Sequence, residues 1–196
     1  MSKNVVVLDE VDFKKAIDEI NIRIQAIDEY LGTDDVTKLS EQFVMRLPKK
    51  YIRTASHFKE KLAFIDNEVL RKNISYHFQL SDLNSFMLNR MHVWGVVRNL
   101  VVKFQVVNMG AIAEAILVSV TPKKCKTKNL RIAFLIEGNH ISEELKSEID
   151  WLWSIRNGVH IHEINQSEIG AYTDEMFDRS MSAVKGLIEA VVQMKK

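Results

Sequence analysis

From Phe13 the apolar positions of this chain advance in alternating steps of four and three: Phe13, Ile17, Ile20, Ile24, Ile27, Leu31. That spacing marks one narrow face of an α-helix, as in a coiled-coil seam. It predicts a helix over 12–31, closed by Gly32 as a C-cap. A shorter helical segment follows over Val36–Leu47 and stops at Pro48, whose ring cannot continue it. The stepping resumes at Tyr51, Ala55, Phe58, Leu62, Ile65 and Val69, and predicts a helix to about Tyr76. Its charges, including Lys59, Glu60, Asp66 and Glu68, read as a solvated outer face.

Ser81 is placed to cap the next helix. That helix carries Leu83, Met87, Trp94, Val97 and Val101 toward Val107, and meets a break or a close approach at Gly110. The small-residue run "AIAEAILVSV" follows, as where two helices pack closely. Glu114 lies inside it. A carboxylate there either faces solvent from an amphipathic helix or needs a cationic partner, and Arg156 is one candidate. "IAFLIEGNH" reads as a short buried helix ended by Gly138. Ser142 opens the next helix, with Glu143 and Glu144 in the first turn, where the helix dipole favours negative charge. A last helix from near Thr173 carries Phe177, Met181, Val184, Ile188 and Val191. The pattern is all-α: one antiparallel bundle-like domain over 1–196, of about six or seven helices. No repeat, low-complexity tract or linker divides it.

Composition narrows the possibilities. A chain of 196 residues can bury one good core, and 46% apolar with 27% charged residues is ordinary for a soluble domain. Seven glycines and two prolines are too few for the many turns of an all-β fold. A net charge of +1 excludes a global basic field, so a nucleic-acid partner would need a local patch. One exists over Thr121–Arg131, which reads as a basic connection between helices, with Lys123, Lys124, Lys126, Lys128, Arg131 and no acid. Such density can contact phosphates or simply face water.

The single cysteine, Cys125, excludes an intrachain disulfide and a four-cysteine zinc site, and suits a reducing cytoplasm. It is expected as an exposed loop thiol among lysines. The N-terminal "VVVL" is too short for a signal peptide and runs into acids. The longest apolar run, Gly110–Val120, is too short to cross a bilayer and holds Glu114. A cytoplasmic protein without a membrane partner is expected.

The candidate chemistry lies in "SIRNGVHIHE", Ser154–Glu163. Leu145, Ile149 and Leu152 form a buried stripe, and the same stepping leads to Arg156 and then His160. A guanidinium is costly to bury without an anion. Either Arg156 pairs with an internal carboxylate, or the stripe emerges into a cleft that accepts an outside anion. Arginine's planar fork suits phosphate, and histidine moves protons near neutral pH. Together they supply metal-free RNA cleavage: a proton handler and a cation for the phosphorane-like state. On an unbroken helix His160 lies about 40° from Arg156 and His162 about 120° away, so geometry favours His160 unless Gly158 bends the chain. A zinc site is disfavoured, since no compact third ligand sits near the two histidines. The plainer alternative is an arginine at a helix C-terminus beside ordinary surface histidines.

"IRNGVHIH" after an amphipathic helix resembles the signature of the HEPN superfamily of small all-helical domains: Arg, usually then Asn, Asp or His, followed after four to six residues by His. Arg156 and Asn157 match its opening. His162 follows after five intervening residues and fits the spacing; His160 follows after three and falls one short. "GAIAEAILVSV" is similar to the small-residue helix with an acidic position found upstream in such domains. The resemblance spans Ser81–Val192, with the helices of 11–76 packed on that core. It implies a metal-independent endoribonuclease without cofactor. Its site, Arg156, Asn157 and His160 or His162, would line a groove between two protomers; Lys123, Lys124 and Lys126 are the substrate-binding candidates by their local charge, and matter most if the domain binds RNA or nucleotides without cutting. Active members are often toxins or defence effectors controlled by an antitoxin or a regulator. Others are inactive binding or interaction modules, the rival expectation here.

Overall fold

The computed structural model describes residues 7–31, 49–159 and 167–195. Among them are seven α-helices, one 3-10 turn and no strand. The all-α expectation therefore holds. The chain divides into two compact units, residues 1–47 and 48–196.

The first unit contains α1, Glu10–Leu31, matching the seam that begins at Phe13. Asp9 caps it, its carboxylate accepting from the Asp12 N–H at 2.8 Å. Gly32 and the predicted helix Val36–Leu47 lie outside the described residues.

In the second unit a 3-10 turn at Lys49–Tyr51 leads to α2 (Ala55–Lys61), α3 (Glu68–Arg90), α4 (Gly95–Val120), α5 (Lys128–Glu137), α6 (Glu143–Asn157) and α7 (Asp174–Met194). α4 is the axis, packed against α3, α5, α6 and α7. Its buried residues Val102, Val106, Met109, Ile112, Ile116 and Leu117 point to several sides of the helix, as a central helix requires. Each such large side chain contributes about 1.5–3 kcal/mol by leaving water. α4 is longer than the run Gly110–Val120 suggests. By length and composition it could cross a membrane, and most of it is buried inside the bundle.

Three boundaries differ from the apolar pattern. The helix expected over 51–76 is interrupted at 62–67, and Asn67 starts α3 by accepting from the Leu70 N–H at 3.0 Å. Leu62 and Ile65 keep helical spacing because both turn into the core, although the backbone has left the helix. Ser81 is no cap: it sits mid-helix in α3, and its hydroxyl meets Met181 Sδ and the Gln105 side chain. Gly110 is no break either. The chain turns earlier, at Met91–Trp94, and Gly95 takes a left-handed φ of +59°. Cys125, expected to be exposed, is buried.

Polar side chains fix the antiparallel register of α3 and α4. Buried Gln105 accepts from Asn84 at 3.0 Å and donates to Ser81 Oγ at 2.7 Å. Asn108 donates to the His77 carbonyl at 2.9 Å, and its Oδ1 lies 2.5 Å from His77 Nδ1. Buried amides with partners cost little, and unpaired they would cost about 1–3 kcal/mol each, so this register is strongly specified.

Candidate functional site

α6 begins at Ser142, whose hydroxyl accepts from the Leu145 N–H at 3.2 Å. Hydrogen bonds from Ser142 and from its own backbone hold the Glu144 carboxyl below its ordinary value, the arrangement expected at a helix N-terminus. The helix then buries Ile149 and Leu152 against α4 and α7 and brings Arg156 up on the same stripe.

The approach of α6 to α4 depends on Gly110. A Cβ at that position would stand 2.8 Å from Arg156 Cβ and 3.1 Å from its Cγ. The missing side chain lets the arginine stem lie on the α4 backbone. One turn further along α4, Glu114 meets the guanidinium: Arg156 Nη2 donates to Glu114 Oε2 at 2.6 Å. Nη1 donates to Asn157 Oδ1 at 3.0 Å.

The pair is not sealed in the core. The Arg156 and Glu114 side chains remain 35% and 33% exposed. Of five guanidinium N–H groups, two are engaged by described residues. Of the two expected fates of Arg156, the structure shows a carboxylate partner, Glu114.

Trp153, one turn before Arg156, was not singled out by the sequence pattern. The Arg156 Cζ lies 5.8 Å from its ring centroid and Lys128 Nζ of α5 lies 5.9 Å from the same ring. Both are within cation–π range. Lys128 also pairs with Asp150. The helical step of three from Trp153 to Arg156 was the available signal. Lys123, Lys124 and Lys126 are exposed in the α4–α5 connection. Lys128, the first residue of α5, is the lysine of this stretch that reaches the Trp153–Arg156 cluster.

α6 ends at Asn157. Gly158 caps it, its N–H bonding the Ser154 and Ile155 carbonyls at 3.0 and 3.2 Å. The unbroken helix that would set His160 about 40° from Arg156 is therefore absent. His160 and His162 lie outside the described residues. Among the described residues no three His, Cys, Asp or Glu side chains form a group that could hold a metal ion.

Compared with models of known protein families, with curated proteins and with solved structures, the chain matches none significantly.

Proposed function

We propose that the second unit is a HEPN-like, metal-independent endoribonuclease acting as a homodimer. The observation that carries this reading is the state of Arg156: anchored by Glu114, yet one-third exposed. An arginine oriented in advance and partly exposed suits a phosphate whose charge grows in the transition state. In this reading the RNA 2′-oxygen attacks the adjacent phosphorus and the 5′-oxygen leaves. His160 or His162 handles the proton, and Arg156 stabilises the phosphorane-like charge. Asn157, already bonded to Arg156, orients the guanidinium. Lys123, Lys124 and Lys126 contact flanking phosphates, with Lys128 beside them. The products are a 2′,3′-cyclic phosphate and a 5′-hydroxyl end. A cytoplasmic setting and control by an antitoxin or regulatory protein belong to the same proposal.

The test is cleavage of end-labelled RNA in EDTA by the wild-type chain and the Arg156→Ala, His160→Ala and His162→Ala variants. Cleavage should vanish with Arg156 and with one of the two histidines. Full-rate cleavage by Arg156→Ala removes the proposal.

The Glu114 contact favours a second reading, a helical binding module in which Arg156 serves only as an ion-pair member. Under it, Arg156→Ala lowers thermal stability and no preparation cuts RNA above background.

A further inference from the structure

The apolar seam of α1 faces water. Phe13, Ile17, Ile20, Ile24 and Ile27 are each between 40 and 50% exposed. Scattered exposed apolar residues are ordinary, but five in one row along a helix mark an interaction surface. The period of the row says what kind. Steps of four and three average 3.5 residues, so the row stays in line only against a helix that repeats it. A helix laid on a globular core shows a broader apolar stripe. Away from the seam α1 is mostly polar, with Lys15, Asp18, Glu19 and Gln25 exposed.

In a coiled-coil heptad the first and fourth positions form the core, and the fifth and seventh flank it. Ile17 and Ile24 take the first position, and Phe13, Ile20 and Ile27 the fourth. Lys14 and Asn21 then lie on one flank, Asp9 and Arg23 on the other. These flanks choose a direction. Parallel copies set a seventh-position residue beside the fifth-position residue five further along the neighbour, which pairs Asp9 with Lys14 of the next copy. Antiparallel copies that match the core layers, Ile17 against Ile27 and Ile20 against Ile24, bring Arg23 against Arg23, a like-charge contact that suppresses this alignment.

We propose that α1 assembles copies of this chain through a parallel coiled coil of more than two helices. The occupant of the seam is the same seam from further copies. Isoleucine at both core positions favours trimers or tetramers over a two-stranded coil. This assembly is separate from the groove proposed around Arg156, which would join two protomers.

Sedimentation equilibrium of the full chain across a dilution series tests this. A species of more than two chains is expected. Ile20→Lys/Ile24→Lys, which puts charge into two successive core layers, should reduce it to two chains or one. All three tryptophans, Trp94, Trp151 and Trp153, lie in the second unit, so a thermal melt followed by tryptophan fluorescence should be unchanged in the double variant. Direction is read from pyrene attached at Leu8→Cys, an exposed position just before α1; Cys125 is buried, and the wild-type chain is the labelling control. Parallel helices bring the labels together and give excimer emission, whereas antiparallel ones hold them at opposite ends of a helix about 33 Å long. The proposal is overturned if the largest wild-type species is a monomer or a dimer, if the double variant still assembles beyond two chains, or if the assembled, labelled chain shows no excimer.

Discussion

Arg156 Nη2 and Glu114 Oε2 meet at 2.6 Å, and the bond ties the last turn of α6 to α4. Both side chains are about one-third exposed, so water and salt screen the pair, and it contributes about 0.5–1 kcal/mol. Glu114→Gln and Arg156→Gln, separately and together, form a double-mutant cycle measured by urea unfolding. A coupling of about that size is expected at low salt, shrinking toward zero in about 1 M salt. No coupling at low salt would mean the two residues act independently.

Gly110 makes the second prediction. Alanine normally gains about 1 kcal/mol over glycine inside a helix. Here the added methyl would meet Arg156 Cβ and Cγ at 2.8 and 3.1 Å. Those atoms are the root of the side chain and cannot swing aside, so α6 must move, at about 1–3 kcal/mol. Gly110→Ala should therefore lose about 1 kcal/mol net in urea unfolding. A stabilised variant would show that α4 and α6 are not in close contact.

The same glycine shows what periodicity can and cannot reveal. In the sequence Gly110 stands for a break or a close approach, and only the packed partner decides between them. Leu62 and Ile65 continue the four-three stepping through a gap between helices, because core burial imposes that spacing on a turn as readily as on a helix. Ser81 carries a capping side chain but uses it on Met181, far away in sequence. By contrast, α1, α6 and α7 were legible, each framed by a clear polar start or an apolar face that ends where the helix ends; of α5 only the end was, since it starts at Lys128, inside the basic stretch Thr121–Arg131 that reads as a connection. The Glu114–Arg156 pair was legible only as one of two alternatives, because an acid in an apolar helix can equally face solvent, and only the packed structure decides that it meets the arginine. The α5 lysine beside Trp153 was not legible, since nothing local in sequence joins Lys128 to that ring.

Acid should act through Glu68. Hydrogen bonds from Arg71 first, and from Lys59 at 2.7 Å, lower its carboxyl from 4.5 to about 2. With the folded value below the unfolded one, the native state binds fewer protons in that window. The stabilisation is complete above about pH 4.5 and fades as pH falls through about 2. Thermal melts followed by circular dichroism should show Tm of the wild type dropping more steeply between those limits than Tm of Glu68→Gln. Identical slopes would mean that these contacts do not persist in solution.

Asp82 carries the sharpest contrast between two substitutions. It is 6% exposed and accepts from Arg53 N at 2.8 Å, Nε at 3.0 Å and Nη2 at 2.5 Å, and its hydrogen bonds first, then its charge, raise the Arg53 pKa against the opposing effect of burial. Arg53 itself is 46% exposed and can turn to water when its partner is lost. Asp82→Ala should thus cost less than the 3–5 kcal/mol typical of a wholly buried pair, about 2–3 kcal/mol. Shape would predict that Asp82→Asn is mild, but hydrogen-bond inventory predicts otherwise. Both carboxylate oxygens accept here, and an amide offers one oxygen and one NH₂. In either flip the NH₂ faces an Arg53 donor, so the asparagine variant should lose nearly as much as alanine. Urea unfolding of the two decides the matter: an Asn variant within about 0.5 kcal/mol of wild type would place the stabilisation in packing rather than in charge.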